Sequence, residues 1–279
     1  MFMFRTSCHC TLPQPTGSRS APRQPPSPVF FSALLPPTDL ARRIGLDINQ
    51  TDLAGRTPLH VAVERGDSSL VAPLLLCRAD TERIADDGST PLRLAAAHDD
   101  EPTAALLLRA GAEKDAVGID GVPLLVLACE RGVDVASLLL RSTANPNQKD
   151  LAGRTGLELA VRRGEFALCE LLLACGAVAS GRQDEASGNT TLHMAVLQRK
   201  EGLVSALLES RAELSAQNGE GCTPLLLACV TGEIGVVERL LSAGSPLHLV
   251  DKYGRSALEL ALQAGHLGCL QAGARRGEW

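Results

Sequence analysis

The strongest constraint on this chain of 279 residues is a pattern that returns along it at nearly constant spacing. One copy is GRTPLHVAVERG, which ends at Gly66, and another is GCTPLLLACVTG, which ends at Gly232. The third residue of each copy is its anchor, and the anchors are Thr57, Thr90, Pro123, Thr155, Thr190, Thr223 and Ser256. Successive anchors are 33, 33, 32, 35, 33 and 33 residues apart. A period of this length predicts a stack of similar supersecondary units, each contacting its neighbours.

Each unit carries the signals of two short helices. Thr57 can cap the first helix through its hydroxyl, and Pro58 fits the first helical position because that position needs no N–H donor. Gly66 can end this helix in a left-handed conformation. A second helix is predicted over residues 68–76, where apolar residues recur at helical spacing. Helices this short cannot bury their apolar faces alone, so neighbouring units must complete the core.

These motifs resemble the ankyrin repeat family, whose units have a period of about 33 residues and a T-P-L-H-x-A signature. Here TPLHVA stands at 57–62. The resemblance covers roughly residues 38–279 and implies an all-α repeat solenoid, built of helix-turn-helix units that each carry a β-hairpin finger. We expect about six full repeats with partial repeats at both ends. The predicted division is a disordered, Pro-rich tail over 1–37, a half-repeat over 38–51, repeats near 52–84, 85–117, 118–149, 150–184, 185–217 and 218–250, and a partial repeat over 251–279.

Some repeats depart from the pattern. Asp99 and Arg199 replace the Gly that ends the first helix, so those turns should be somewhat strained or reshaped. The interval of 35 residues places extra residues around 181–188, where the finger should be the most mobile. The chain closes with GARRGEW, either as a natural cap or as the edge of a truncated sequence.

Composition bounds the function. The net charge of −5 argues against nucleic acid as a partner, because phosphate binding needs a basic surface. No apolar run approaches the roughly 18 residues of a membrane span. Nine cysteines without a tight framework indicate reduced thiols and a cytoplasmic protein. A nuclear location is an alternative, and so is an organelle, because residues 1–37 carry Arg5, Arg19 and Arg23 but no acid, as transit peptides do.

The residues that could carry chemistry have simpler interpretations. His60 and His193 stand at the fourth signature position, where the resemblance implies a histidine bonded to the turn Thr and the backbone. Most cysteines fall at repeat positions and are interpreted as small apolar residues. The segment Cys8–Cys10 offers at most three metal ligands. We therefore expect no catalytic residue, no metal and no cofactor.

The resemblance implies a concave face made of finger tips and first-helix ends. The candidate partner-binding residues on it are Leu53, Arg56, Arg65, Asp86, Asp87, Arg131, Leu151, Arg154, Arg162, Arg163 and Tyr253. Arginines cluster in the first four repeats, which suggests an acidic or mixed peptide surface as the partner. The alternative is a solvated surface on which Glu64 and Glu130 neutralise their arginine neighbours.

The predicted function is a non-enzymatic scaffold or adaptor that binds a partner protein as a monomer. The alternative is a targeting or substrate-recruiting module of a larger enzyme, such as a kinase or a ubiquitin-ligase subunit. A stand-alone enzyme is a third hypothesis, which the lack of any nucleophile or phosphate-binding motif disfavours.

Overall fold

The computed structural model describes residues 47–179 and 187–276. Within these ranges every regular element is a helix, and no strand is formed. The helices are α1 Pro58–Glu64, α2 Ser68–Leu76, α3 Pro91–Ala97, α4 Glu101–Arg109, α5 Leu124–Arg131, α6 Asp134–Arg141, α7 Gly156–Arg163, α8 Phe166–Ala174, α9 Thr191–Leu197, α10 Glu201–Glu209, α11 Pro224–Thr231, α12 Ile234–Ser242, α13 Ala257–Ala264 and α14 Leu267–Arg276.

The helices form two layers. Each odd-numbered helix packs against the next even-numbered one within its repeat, as α1 does against α2. Each odd-numbered helix also packs against the odd-numbered helices of the neighbouring repeats, and the even-numbered helices do the same. This nearest-neighbour packing confirms the all-α solenoid that the sequence period predicts.

The core consists of small and branched apolar side chains that interlock between repeats. Leu59, Leu92 and Leu157, which all follow an anchor by two positions, are fully buried. The signature alanines, including Ala62 and Ala95, are buried as well. Because such residues occupy little volume, the first helices can approach closely, which explains how the chain builds a core with few aromatic residues.

The anchors cap the first helices as predicted. The side chain of Thr57 accepts the His60 N–H, and the same bond forms at Thr90, Thr155, Thr190, Thr223 and Ser256. Pro123 has no side chain that can accept, and α5 starts without a side-chain cap. There the chain is held by an isolated bridge between Val117 and Pro123. An N-cap hydroxyl is worth about 1 kcal/mol, so the third repeat lacks a contribution that its neighbours have.

Left-handed residues end the helices. Gly66 has a φ of 66°, and Asp99 and Arg199 have φ values of 53° and 57°. Both turns therefore keep the left-handed conformation of the glycine turn, which is less favourable for Arg199 than for Asp99 because Asp tolerates that region. Second helices end in the same way, and there Thr143 has a φ of 62°. Gly132 differs from its counterparts, since its φ of −164° is extended backbone that any residue can adopt.

The fingers are shorter than the predicted β-hairpins. In the described ranges they contain only two isolated antiparallel bridges, Val117 with Pro123 and Lys149 with Thr155. Each finger is instead closed by a tight turn in which a Gly has positive φ, as at Gly153. A turn this tight allows only one pair of residues to form a β-bridge across the finger, and one pair is too few for a strand.

The partial repeat predicted over 251–279 contains both helices of a repeat, α13 and α14. The predicted tail over 1–37, most of the half-repeat over 38–51, Cys8–Cys10 and most of the finger at 181–188 lie outside the described residues. No helix in the described ranges is both long enough and apolar enough to cross a membrane.

Candidate functional site

The finger turns are held by an acidic or amide side chain. The Asp52 carboxylate accepts the N–H groups of Ala54 and Arg56, both at 2.9 Å. Asp150 accepts the N–H groups of Ala152 and Arg154 at 2.9 and 2.8 Å. This turn accounts for the repeated motif DLAGRT, in which Asp closes the loop and Gly supplies the positive φ.

Apolar side chains stand on the tips of three of the first four fingers. Leu53 is 91% exposed, Ile119 is 74% exposed and Leu151 is 85% exposed. Each tip occupies the position four residues before its anchor. Ile119 lies over Gly88 of the preceding finger, and Leu151 lies over Gly121, so closely that a Cβ on either glycine would clash. Ile119 is not among the residues predicted above, although its register in the repeat is that of Leu53.

The second finger is polar at its tip. The backbone N–H of Asp86 donates to the Ala54 carbonyl at 3.0 Å, which ties the second finger to the first. The Asp87 carboxylate accepts the Ser89 N–H at 2.9 Å and its hydroxyl at 2.6 Å. The hydroxyl of Ser89 and its N–H lower the pKa of Asp87 more than burial raises it. Asp87 is therefore committed to its own turn, whereas the Asp86 carboxylate makes no ion pair among the described residues.

The finger stems and the first-helix ends lie on one face. The Arg56 guanidinium, one residue before its anchor, contacts the Glu64 carboxylate at 2.7 Å, seven residues after the anchor. In the last repeat Arg255 reaches Gln263 at 3.2 Å across the same interval. We call this surface, with the finger tips, the groove face.

Two of the candidate arginines are paired with the acid of their own turn. Arg56 contacts Asp52 at 2.9 Å in addition to Glu64. Arg154 contacts Asp150 at 2.7 Å. Burial acts to raise the pKa of Asp150, but the hydrogen bonds and charge of Arg154 outweigh it and hold that pKa below its usual value.

The other candidate arginines differ in how they are held. Arg65, Arg131 and Arg162 are exposed and make no ion pair with any residue in the described ranges. Arg163 donates to the Glu130 carbonyl of the preceding repeat and lies 3.8 Å from the Glu165 carboxylate.

The neutralisation proposed as the alternative is only partly present. Glu64 pairs with Arg56 and not with Arg65. The Glu130 carboxylate makes no ion pair among residues 47–179 and 187–276.

Tyr253 stands on the last finger and is 68% exposed. The Lys252 ammonium and the Arg255 guanidinium lie 5.1 and 4.9 Å from the centre of its ring. Since both cations flank the ring, they hold it on the groove face while leaving much of its surface to solvent.

The two signature histidines bridge repeats. His60 Nδ1 lies 2.8 Å from the Thr57 hydroxyl, and its Nε2 lies 3.2 Å from the Ser89 carbonyl of the next repeat. His193 contacts Thr190 at 2.8 Å and the Cys222 carbonyl at 2.8 Å. Burial lowers the pKa of both rings. The neutral ring, protonated on Nε2, satisfies both bonds, which confirms the structural interpretation of these histidines.

Burial disfavours the reactive thiolate form of three cysteines. Cys129, Cys169 and Cys229 are fully buried, and burial raises the pKa of each to about 12. No group of three or more His, Cys, Asp or Glu residues that could hold a metal ion is formed within the described part of the chain. These three thiols therefore lack the lowered pKa that an activated cysteine nucleophile needs.

Comparison with known proteins identifies the repeat. A family model described as ankyrin repeats (3 copies) matches residues 34–117, 124–218 and 192–272. The crystal structure of the ankyrin repeat domain of Bcl-3, described as a unique member of the IkappaB protein family, is 29% identical, with a TM-score of 0.61. It covers 78% of this chain and 99% of that one. An ankyrin repeat domain from Acinetobacter baumannii is 26% identical with a TM-score of 0.60, covering 67% of this chain and 97% of that one.

A further relative shares only part of the repeat array. A probable E3 ubiquitin-protein ligase, XBOS32, from Oryza sativa subsp. japonica is 40% identical over 70 residues. That match covers 25% of this chain and spans 14% of the relative's own length. Domains of this kind are generally protein–protein interaction modules, and no catalytic family is indicated. On the matches to the family model and the shared architecture, the chain belongs to the ankyrin repeat family.

Proposed function

We propose that this chain is a scaffold that holds a partner protein on the groove face and catalyses no reaction. The carrying observation is that Leu53, Ile119 and Leu151 stand exposed on finger tips whose turns are closed by hydrogen bonds to an aspartate. Apolar side chains held out on an ordered backbone bind at small conformational cost. The exposed Arg131 and Arg162, in the last turns of their first helices, add groups that can pair with a partner's acids.

The groove face has the amphipathic character of an interface. Arginine is enriched at binding sites because its planar guanidinium pairs and stacks at once. The apolar tips would supply buried contact area, and the arginines would orient the partner through directional pairing. The partner would therefore present an apolar surface with acidic residues next to it. We further propose that the chain acts as a monomer in the cytoplasm, where its free thiols would stay reduced.

The second candidate is that this array recruits substrates for a larger enzyme, such as a ubiquitin-ligase subunit or a kinase. The likeness to the rice protein favours it, because that relative is named as a probable E3 ligase and the match spans a small part of it. In this case too the groove face would carry the binding, so both candidates lead to the same experiment.

The experiment is a quantitative pull-down with the full-length chain and three variants. The groove variant carries Arg131→Glu, Arg162→Glu and Arg163→Glu. Its matched control carries Arg109→Glu, Arg141→Glu and Arg275→Glu, which change the net charge equally but lie on second helices. The third variant carries Leu53→Ser and Leu151→Ser.

Partners held by the parent and the control, but lost by either groove-face variant, would support the proposal. Equal retention by all four chains would contradict it. Circular dichroism of each variant would establish that the helical array is intact.

A further inference from the structure

The fourth repeat breaks a pairing rule that the first and last repeats follow. Three of the seven anchors are preceded by an arginine: Arg56, Arg154 and Arg255. In the first and last repeats the residue eight positions later is an oxygen acceptor, Glu64 or Gln263, and it contacts that arginine. In the fourth repeat the equivalent position holds Arg162.

This substitution places a second arginine where the first and last repeats have an oxygen acceptor. Arg154 keeps its contact with Asp150, which lies below it in the turn and is almost fully buried. Arg162 is exposed and makes no ion pair with any residue that the structure describes. The register of the repeats therefore places Arg162 at the position from which Glu64 contacts Arg56 in the first repeat.

We propose that this part of the fourth repeat binds a carboxylate side chain from an acidic segment of the partner, with Arg154 and Arg162 donating to it. The proposal rests on the proposed function and assigns a specific contact on the groove face. A carboxylate suits it because the first repeat already holds one against the equivalent Arg56, at 2.7 Å. Two guanidinium groups can then share the two oxygens through charge-assisted hydrogen bonds.

The charge of residues 1–37 favours a partner segment over the chain's own N-terminal tail as the occupant. Residues 1–37 carry Arg5, Arg19 and Arg23 and no acid, so they would be repelled by the arginine pair. Leu151, in the same finger as Arg154, stands exposed at the tip. The segment would therefore place an acidic residue between the arginines and an apolar residue on the tip.

Among the residues that the structure describes, one acid of the chain itself could compete. Glu130 lies one repeat earlier at the position equivalent to Arg162, and its carbonyl accepts a hydrogen bond from Arg163. Its carboxylate forms no ion pair within the described ranges. Removing that charge by Glu130→Gln should strengthen the binding of an acidic segment, since it removes a negative charge beside the site.

The test uses a random peptide library displayed against the full-length chain. We expect the selected peptides to be enriched in Asp and Glu relative to the input library. Replacing the acid of a selected peptide by its amide should weaken binding roughly tenfold to a hundredfold, the range for a hydrogen bond to a charged group. Arg162→Glu should abolish the enrichment of acidic peptides, because the new carboxylate would pair with Arg154 as Glu64 pairs with Arg56.

Two further measurements distinguish a change at the site from a failure to fold. One adds a second site by Glu64→Arg, and the other compares denaturation midpoints. Glu64→Arg should create a second such site in the first repeat and raise the number of acidic peptides bound. Arg162→Glu should raise the denaturation midpoint of the parent but not of the Arg154→Ala variant. A midpoint shift that is the same in both backgrounds would show that the two positions do not face each other, which overturns the proposal.

The possible outcomes distinguish a failure of the carboxylate site from a failure of the proposed function. Peptides that depend on Leu151 but show no acid enrichment, or bind the Arg162→Glu chain equally well, overturn the carboxylate site and leave the proposed function standing. A selection in which no peptide depends on any groove-face residue counts against both.

Discussion

The Asp99 carboxylate reaches across a repeat boundary and accepts the Val135 N–H at 2.9 Å. Val135 belongs to the first turn of α6, a helix whose own N-cap residue, Val133, supplies no side-chain hydrogen bond. Gly132 leaves room for this contact, because a Cβ there would lie 1.8 Å from the Asp99 carboxylate. A residue that replaces the helix-ending Gly of one repeat thus caps a helix of the next.

Removing this bond should weaken the array in the middle. Asp99→Ala should lower the free energy of unfolding by about 1 kcal/mol, the usual value of a helix N-cap. Asp99→Asn should lose less, because Asn can accept the same N–H and tolerates the left-handed conformation. Urea denaturation of the three chains measures the difference. An alanine variant as stable as the parent would contradict this capping role.

Thr143 is a site where a simple change should stabilise the protein. It is exposed and has a φ of 62°, a conformation that is costly for a β-branched residue. Thr143→Gly should raise the free energy of unfolding by about 0.5 to 1 kcal/mol, the strain relieved minus the backbone entropy lost. Ser142→Gly at the neighbouring position, where φ is −83°, should give no such gain. Thermal melting compares the two variants, and an equal response would argue against strain at Thr143.

The bridging histidines should make stability depend on pH. Because burial lowers the pKa of His60 and His193, the unfolded chain binds protons more readily than the folded one. Their contribution is fully present above the ordinary histidine pKa of about 6.5 and is lost as the pH falls from there towards the lower folded values.

The check is the free energy of unfolding at pH about 7.5 and about 5, on either side of the ordinary histidine pKa. The double variant His60→Gln, His193→Gln should show a smaller loss than the parent, since Gln can complete the capping box without titrating. A loss of the same size in both chains would assign the pH dependence to other groups.

The thiols should react in two classes. Cys175 is exposed and should be alkylated by iodoacetamide in the folded protein. Cys129, Cys169 and Cys229 should react only after unfolding, because burial excludes the reagent and raises the pKa of each thiol to about 12. Mass spectrometry of the alkylated peptides distinguishes the classes. Rapid labelling of Cys129 without loss of helicity would show that the core opens more readily than its packing implies.

Much of the fold could be predicted from spacing alone, since the anchors mark where each first helix is capped and begins. Thr57 and Pro58 were assigned their roles correctly because local chemistry determines them. The resemblance implied β-hairpin fingers, and the described fingers form only isolated bridges, because their tight turns leave few residue pairs to bond across the finger.

The site was harder to predict, because the contacts of an arginine depend on a residue eight positions later that the repeat signature does not fix. The sequence made Arg56 and Arg154 equal candidates, but only the structure shows that position 64 completes the contacts of Arg56. An alignment of the residues one position before and seven positions after each anchor would have shown that Arg162 departs from the pattern. Ile119 could have been found in the same way, from its register with Leu53.

Hydrogen exchange of the chain bound to a captured partner shows whether the groove face carries the binding. Binding there should add protection in the fingers and first-helix ends of the first four repeats, around residues 119–131 and 151–163. The second helices should exchange at the same rate with and without the partner. Protection confined to the second helices, with no change at Leu151 or Arg162, would contradict binding through the groove face.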